Sequence, residues 1–127
     1  SDEGLSVYGI HDVLNMLKSG IVDTLIITDE IPYLHLEIKC NKCGDIDENY
    51  VDRINLINVK QEEVSKSCPK CGSQDREITE KDIVDFLEEL SANIGSKMEV
   101  ISSKTEEGAQ LGSLGNIGAL LRFKPSH

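Results

Sequence analysis

Aromatic residues are scarce in this chain of 127 residues, which has no tryptophan, three tyrosines and two phenylalanines. Proteins that grip single-stranded nucleic acid usually stack bases on aromatic side chains set among basic ones. Basic residues are also few, because 13 lysines and arginines stand against 23 aspartates and glutamates. The resulting formal net charge of −10 disfavours binding to nucleic-acid phosphates or to an anionic membrane. We therefore expect neither a direct nucleic-acid grip nor a membrane partner.

Long apolar runs are missing as well. No segment approaches the roughly 18 apolar residues that a membrane-spanning helix needs. The first residues, Ser1-Asp2-Glu3-Gly4, do not form the basic and then apolar pattern of a secretory signal. We therefore expect a soluble, cytoplasmic protein. Because the chain does not begin with methionine, we also expect it to be processed or to be part of a longer protein.

The length bounds the fold to one compact domain, or to one domain that carries a small insertion. Its four cysteines form two C-x-x-C-G motifs, Cys40–Gly44 and Cys68–Gly72, with 24 residues between Cys43 and Cys68. Two thiolates spaced by two residues converge on a tetrahedral zinc ion from one tight turn. We predict one structural Zn²⁺ per chain, and its ligands are Cys40, Cys43, Cys68 and Cys71. A closed shell of four thiolates leaves no position for water or substrate.

Three other interpretations of the cysteines stay open at this point: two structural disulfides, a thioredoxin-like redox pair, or four unrelated buried thiols. His35 is a fifth candidate ligand, but its place in an alternating segment predicts a surface side chain. Neither His35 nor the other two histidines, His11 and His127, has a partner visible in the sequence that would form a nucleophilic catalytic unit. We therefore expect a protein that is not an enzyme.

Three segments before the second motif have clear periodic patterns. The first predicts an amphipathic helix that Gly20 ends, with apolar residues spaced i, i+3, i+4 and i+7: Ile10, Val13, Leu14 and Leu17. The second predicts a buried strand over residues 21–27, central in a sheet. The third follows Pro32 and predicts a strand whose buried face carries Leu34, Leu36 and Ile38.

The segment after the second motif predicts a long helix, followed by a strand, a short helix and a closing strand. The long helix is expected from Thr79, as its cap, to Ile94, with Gly95 as its stop. The strand is expected over 98–102, and Thr105 opens the short helix. The closing strand is expected over 117–123.

Strands that alternate with helices predict a mostly parallel or mixed sheet with helices on both faces. The fold class is therefore α/β, a three-layer α/β/α sandwich with an inserted four-cysteine zinc ribbon. The sandwich is expected to comprise residues 1–39 and 76–127. The inserted zinc-ribbon minidomain is expected over residues 40–75, where few apolar residues could build a core and a metal would add the missing stability.

Both ends of the chain resemble one family. Near the start, the matching residues are Tyr8-Gly9, Val13, Leu17, Gly20 and Val22-Asp23-Thr24-Leu25-Ile26-Ile27. Near the end, they are Glu99–Ser102, Thr105–Leu111 and Gly115–Phe123, with Asn116 where the family usually has glycine. These residues resemble the C-terminal domain of archaeal and eukaryotic class-1 peptide chain release factors. The paired cysteine motifs resemble the insertion of the archaeal members.

The resemblance implies a fold like that of the kink-turn-binding ribosomal proteins. In those proteins the helix after the matching glycine carries Asn-Glu-x-x-Lys to grip RNA, and here His11, Asp12 and Asn15 occupy those places. Loss of the lysine, on an acidic surface, suggests that the scaffold is kept and the RNA grip is lost. The resemblance therefore implies a protein-binding role.

The resemblance also implies partners. In the full-length factor, other domains recognise stop codons and trigger peptidyl-tRNA hydrolysis on the ribosome. The C-terminal domain binds the elongation-factor-like translational GTPase that delivers the factor and the ABC-type ATPase that recycles ribosomes. The family points to a partner-binding region around Val13, Leu17, Val22 and Asp23. Three alternatives to a release-factor domain remain. They are the matching domain of a Pelota-like ribosome-rescue factor, an RNA-contacting zinc-ribbon protein and a thiol redox enzyme.

Overall fold

The structure is a computed structural model that describes residues 5–125. It is a mixed α/β fold with two sheets and, within those residues, four α-helices. None of these helices combines the length and the apolar character that a membrane crossing requires. The elements, in chain order, are β1 (Ser6–Tyr8), α1 (Ile10–Lys18), β2 (Val22–Thr28), β3 (Tyr33–Cys40), β4 (Ile46–Asp52), a short 3-10 turn (Arg53–Asn55), α2 (Leu56–Ser65), β5 (Arg76–Asp82), α3 (Ile83–Asn93), β6 (Lys97–Ile101), α4 (Glu106–Ser113) and β7 (Ile117–Leu121).

The chain divides into two compact units. The first unit comprises the residues up to Ile31 and those from Leu87 onward, and the second unit is Pro32–Phe86. The second unit is longer at both ends than the predicted insertion of residues 40–75. The reason is that β3 and β5, which flank that segment, pair with each other and with β4 in a sheet of their own.

The first unit contains a four-stranded sheet in the order β1-β7-β2-β6. Strand β2 pairs in parallel with β6 and antiparallel with β7, so its predicted central position is confirmed. Its apolar side chains Val22, Leu25 and Ile27 are fully buried, as expected for a strand covered on both faces. Helix α1 is also confirmed, and all four of its predicted apolar residues are buried.

The second unit contains an antiparallel three-stranded sheet in the order β4-β3-β5. Strand β3 is central, with Ile38 opposite Asp47 on β4 and opposite Ile78 on β5. The apolar face of β3 forms a small core of four buried residues, Leu34, Leu36, Ile38 and Val51. Leu56 and Val59 of α2 pack against this core. Helix α2 therefore covers part of the apolar face of this sheet.

The N-terminal cap of helix α3 lies three residues later than the sequence pattern suggests. The predicted cap, Thr79, lies in β5 opposite Glu37, so its backbone is committed to the sheet. The start is set by Asp82, whose Oδ1 accepts hydrogen bonds from the backbone N–H groups of Val84 at 2.8 Å and Asp85 at 3.3 Å. A cap of this kind satisfies donors that the first helical turn leaves unpaired. The predicted stop is confirmed, with Gly95 at φ 71°.

Asn116 adopts the backbone conformation that glycine usually adopts. Its φ is 68°, and it is the one non-glycine residue with positive φ among residues 5–125. Its side-chain Oδ1 accepts a hydrogen bond from the Thr28 hydroxyl at 2.7 Å. Because Thr28 is fully buried, Asn116 satisfies a polar group that has no access to water. This contact offsets the cost of a left-handed backbone.

We predict that Asn116→Ala lowers the free energy of unfolding by about 2 kcal/mol, because it leaves the buried Thr28 hydroxyl without its acceptor and replaces asparagine, which tolerates the left-handed region, with alanine, which tolerates it less well. Asn116→Gly removes the same acceptor but relieves the backbone, so it should lose less stability. Urea unfolding of both variants beside the wild type measures the difference. Equal stability of the alanine variant and the wild type would refute this account of Asn116.

Candidate metal centre

Each C-x-x-C-G motif folds into a tight turn, and the two turns have the same hydrogen bonds. In the first cysteine turn (Cys40–Gly44), the N–H of Gly44 donates to the carbonyl of Cys40 at 2.9 Å. In the second cysteine turn (Cys68–Gly72), the N–H of Gly72 donates to the carbonyl of Cys68 at 2.8 Å. The glycines have φ of 79° and 76°, a region that residues with a Cβ rarely adopt. The glycine after each cysteine pair therefore lets the turn close.

The structure brings all four thiols together. Their sulfur atoms lie within 4.8 Å of one another. The Sγ atoms of Cys40 and Cys71 are 3.5 Å apart, and those of Cys43 and Cys68 are 3.6 Å apart. Four thiolates at the zinc–sulfur distance of about 2.3 Å form a tetrahedron with edges of about 3.8 Å. The spacing and the donor chemistry therefore fit one tetrahedral metal ion, so these four residues could hold a metal.

The two turns are also linked to each other without the thiols. The backbone N–H of Asn41 donates to the carbonyl of Asp75 at 2.9 Å, and its side-chain Nδ2 donates to the Asp75 carboxylate at 3.1 Å. The Lys70 ammonium lies 3.2 Å from the carboxylate of Asp45. Lys70 is 74% exposed, so water screens this ion pair strongly.

All four cysteines are free thiols, and their surroundings favour the thiolate at two of them. The pKa of Cys40 is lowered to about 6, chiefly because the backbone N–H of Cys43 points at its sulfur. The pKa of Cys68 is lowered as well, first by the N–H of Cys71 and then by that of Lys70. Backbone donors thus prepare one ligand in each turn for a cation, which binds the thiolate and not the thiol.

Cys43 behaves differently. The N–H of Asp45 acts to lower its pKa, but burial and hydrogen bonds with the neighbouring cysteines raise it to about 12. Close sulfurs cannot all carry negative charge unless a cation lies among them. A bound dication favours the thiolate form of every ligand.

His35 is not where its sequence pattern places it. The alternation predicts a surface side chain, but His35 is buried, with only 6% of its surface exposed. Its ring stacks on that of Phe86, with centroids 3.8 Å apart and planes at 11°. Its Nε2 lies 3.8 Å from the carboxylate of Glu48. Within residues 5–125, the group of side chains that could hold a metal is the four cysteines alone.

The residues proposed for partner binding fall into two groups. Val13, Leu17 and Val22 are fully buried in the first unit, where they build the core and cannot touch a partner. Asp23 is exposed. Three further residues are also exposed on α1: His11, Asp12 and Asn15. His127 lies outside the described residues.

Sequence reasoning missed one buried ion pair in the second unit. Arg76 at the start of β5 pairs with Glu63 near the end of α2, with side chains 6% and 12% exposed. Arg76 also lies opposite Cys40 in the β3–β5 register. No spacing rule connects residues 63 and 76 before the sheet is known. The only signal was an arginine five residues after the second C-x-x-C motif.

Comparison with known proteins gives concordant matches. The family described as eRF1 domain 3 matches residues 1–125. Peptide chain release factor subunit 1 of Methanocaldococcus jannaschii is 40% identical over 124 residues, which cover 97% of this chain and 30% of that protein. The chain therefore spans about 30% of the length of the curated relatives it matches.

Two solved structures share the fold. The C-terminal domain of a peptide chain release factor from Methanosarcina mazei is 29% identical with a TM-score of 0.76, and the match covers 97% of this chain and 74% of that one. Archaeal Pelota, in a ribosome-bound structure with ABCE1, is 22% identical with a TM-score of 0.52. The match covers 98% of this chain and 23% of that one. The second match shows a likeness of fold alone.

We predict that His35 makes the second unit less stable in acid. Burial lowers the pKa of His35, although Glu48 and Glu37 oppose this and Lys81 adds to it. The unfolded chain then binds a proton near pH 6.5, before the folded chain does. Stability is thus complete above about pH 6.5 and falls as the pH drops below it.

The matched variant is His35→Phe, which keeps a ring against Phe86 but cannot titrate. Urea unfolding at pH 7.5 and pH 5.5 should show a larger loss of stability in the wild type than in this variant. Comparing the two chains cancels the pH dependence of the cysteines. An equal loss in both would contradict the burial of a neutral His35.

Proposed function

Because the chain belongs to the eRF1 domain 3 family, we propose that it is the partner-binding domain of an archaeal translation termination factor and is not itself catalytic. The observation that carries this proposal is the 40% identity to a peptide chain release factor subunit 1 over 97% of the chain. Recognition of stop codons and peptidyl-tRNA hydrolysis would belong to the parts of the full-length factor outside this chain. The factor would act on ribosomes, in the cytoplasm.

We propose two partners for this domain: the elongation-factor-like GTPase that delivers the factor and the ABC-type ATPase that recycles ribosomes. The likeness of fold to Pelota, which was solved on the ribosome with ABCE1, supports the second partner. The net charge of −10 supports both, because an acidic surface accelerates association with basic patches on another protein. The exposed face of α1 and the start of β2, with Asp12 and Asp23, are the proposed docking region.

The release factor is favoured over the rescue factor. The chain is 40% identical to release factor subunit 1 of Methanocaldococcus jannaschii and 22% identical to archaeal Pelota. We also propose that the first unit forms the three-layer α/β/α arrangement of the kink-turn-binding ribosomal proteins. In that arrangement, the acidic residue Asp12 stands among the former RNA-binding positions and weakens attraction to phosphates.

We propose that Cys40, Cys43, Cys68 and Cys71 hold one structural Zn²⁺. The spacing of their sulfur atoms, all within 4.8 Å, supports the assignment, because zinc accepts four thiolates in a closed tetrahedral shell. Such an ion supplies folding stability and no catalysis. The zinc-ribbon minidomain would then be the inserted part of the chain, with residues 40–75 as its metal-bearing portion.

We predict that removing two negative charges from the proposed docking region slows binding to the archaeal elongation-factor-like GTPase. The variant Asp12→Asn with Asp23→Asn should associate about tenfold more slowly at low salt, since complementary charge mainly raises the association rate. The matched control is Asp47→Asn with Glu77→Gln, which removes two exposed charges from the second unit. Association rates measured by biolayer interferometry at low and high salt make the comparison.

Two outcomes would contradict the proposal. One is the absence of binding to the GTPase by both this chain and the full-length factor. The other is a salt-dependent, submicromolar affinity for RNA, which would favour the RNA-contacting alternative. An equal slowing by the control variant would place the docking region elsewhere on the surface.

We predict that the purified chain carries one equivalent of zinc and that the second unit depends on it. Cys71→Ser, or extraction with a strong chelator, should abolish amide-exchange protection in β3, β4 and β5 and spare β2 and β7. Ser67→Ala, which changes a side chain beside Cys68 without removing a thiol, is the control. Native mass spectrometry and hydrogen exchange provide the two measurements. Unchanged protection after zinc removal would refute the structural role of the metal.

A further inference from the structure

Arg76 lies where the second cysteine turn rejoins the sheet. It is the first residue of β5, and the register places it directly opposite Cys40, the first cysteine of the other turn. Residues opposite each other on neighbouring strands have side chains on the same face of the sheet. Its guanidinium is therefore a buried positive charge on the face that carries Cys40. This charge is always present, because arginine does not lose its proton in proteins.

The partner of Arg76 lies on the other side of the second cysteine turn. Nη2 of Arg76 donates to the backbone carbonyl of Glu63 and lies 3.3 Å from its carboxylate. Glu63 belongs to the last turn of α2, and its carbonyl also accepts the N–H of Lys66 at 3.2 Å. Arg76 thus joins the end of α2 to the start of β5. The loop between these two residues contains both Cys68 and Cys71.

Burial separates this contact from the other links across the metal centre. The pair between Arg76 and Glu63 is 6% and 12% exposed, whereas Lys70 in the pair with Asp45 is 74% exposed. Exposed ion pairs contribute little, but removing one member of a buried pair leaves an uncompensated charge away from water. Loss of Arg76 is therefore expected to disturb the second turn more than loss of the exposed Lys70 charge.

We propose that Arg76 is a positioning residue of the metal centre. Arg76 lies on β5 opposite Cys40 and binds both the carbonyl and the carboxylate of Glu63 at the end of α2. This contact closes the loop that carries Cys68 and Cys71. That closure holds the second turn at ligand distance from the first. Its positive charge also offsets part of the net negative charge that four thiolates and one dication leave. The inference rests on the proposed zinc site and adds a residue that is not a ligand.

The chain offers a matched control for this role. Lys60 and Glu80 form a second ion pair between α2 and β5, with 2.7 Å between Nζ and Oε2. This pair is 40% and 39% exposed and encloses a longer loop. Lys60→Met therefore removes a charge pair between the same two elements without disturbing the turn. A general effect of tying α2 to the sheet would appear in both variants.

The test compares Arg76→Met, Arg76→Lys and Lys60→Met in the full 127-residue chain. Zinc affinity is measured by competition with a chromophoric chelator, and site geometry by the visible spectrum of the cobalt-substituted chain. We expect Arg76→Met to weaken zinc binding about 10- to 100-fold and to alter the cobalt bands. Arg76→Lys should recover part of the loss, because lysine keeps the charge but lacks the planar fork. Lys60→Met should match the wild type.

Hydrogen exchange separates positioning from a general loss of fold. Positioning predicts that Arg76→Met keeps wild-type protection in the paired strands β3 and β4. If Arg76→Met instead unfolds the whole sheet, the zinc affinity of Glu63→Gln is the deciding measurement. That variant keeps the backbone carbonyl that Arg76 binds and removes only the negative charge of residue 63. Weaker zinc binding by Glu63→Gln supports the proposal, and wild-type affinity overturns it.

The same measurements distinguish failure of the role of Arg76 from failure of the proposed zinc site. Wild-type affinity and an unchanged cobalt spectrum in Arg76→Met would overturn the role of Arg76 and leave the metal site intact. A wild-type chain that takes up no zinc would overturn the metal site and the role of Arg76 together.

Discussion

Convergence of four thiols is the constraint on which the second unit depends. The apolar cluster around β3 has four buried residues, and a fold of this size commonly needs a metal or another staple in addition to its core. The end of β3 lies beside the start of β5 in the antiparallel sheet, so a metal bound between the two cysteine turns would fix that end of the sheet. Backbone N–H groups already favour the thiolate at Cys40 and Cys68. Local backbone structure and metal binding thus support each other.

Much of the first unit and the four-cysteine cluster could be predicted from the sequence because their signals are local. The helical spacing from Ile10 to Leu17 and the β-branched run of β2 each specify one element by themselves. The C-x-x-C-G spacing likewise specifies a tight turn, whatever surrounds it. The structure brings the four thiols together as that spacing predicts.

The second sheet was harder to predict because long-range pairing decides it. Strand β4 begins with four exposed residues in succession, from Ile46. It therefore lacks the alternation of apolar and polar residues that would predict a strand. Residues 76–82 have the composition of a helix start, but pairing with β3 commits them to a strand and moves the cap from Thr79 to Asp82. His35 is buried because the ring of Phe86 stacks on it, a contact that the local alternation does not show. Tertiary context overrides local propensity at each of these positions.

In the proposed domain, the acidic charge and the metal site belong to different units. The first unit has 11 acidic and 5 basic residues, and the second has 12 and 8, so the larger excess of acidic residues lies where partner docking is proposed. The second unit contributes the cysteine cluster and its supporting ion pair. The fold alone does not assign a function, because function depends on the surfaces and sites that it carries. The release-factor role therefore rests on similarity over nearly the whole chain.

X-ray absorption at the zinc edge of the purified chain tests the central claim most directly, because it reports the ligand atoms themselves. The account predicts one zinc per chain, surrounded by four sulfur atoms at about 2.3 Å. A shell with nitrogen or oxygen ligands at about 2.0 Å, or with fewer than four sulfurs, would contradict it.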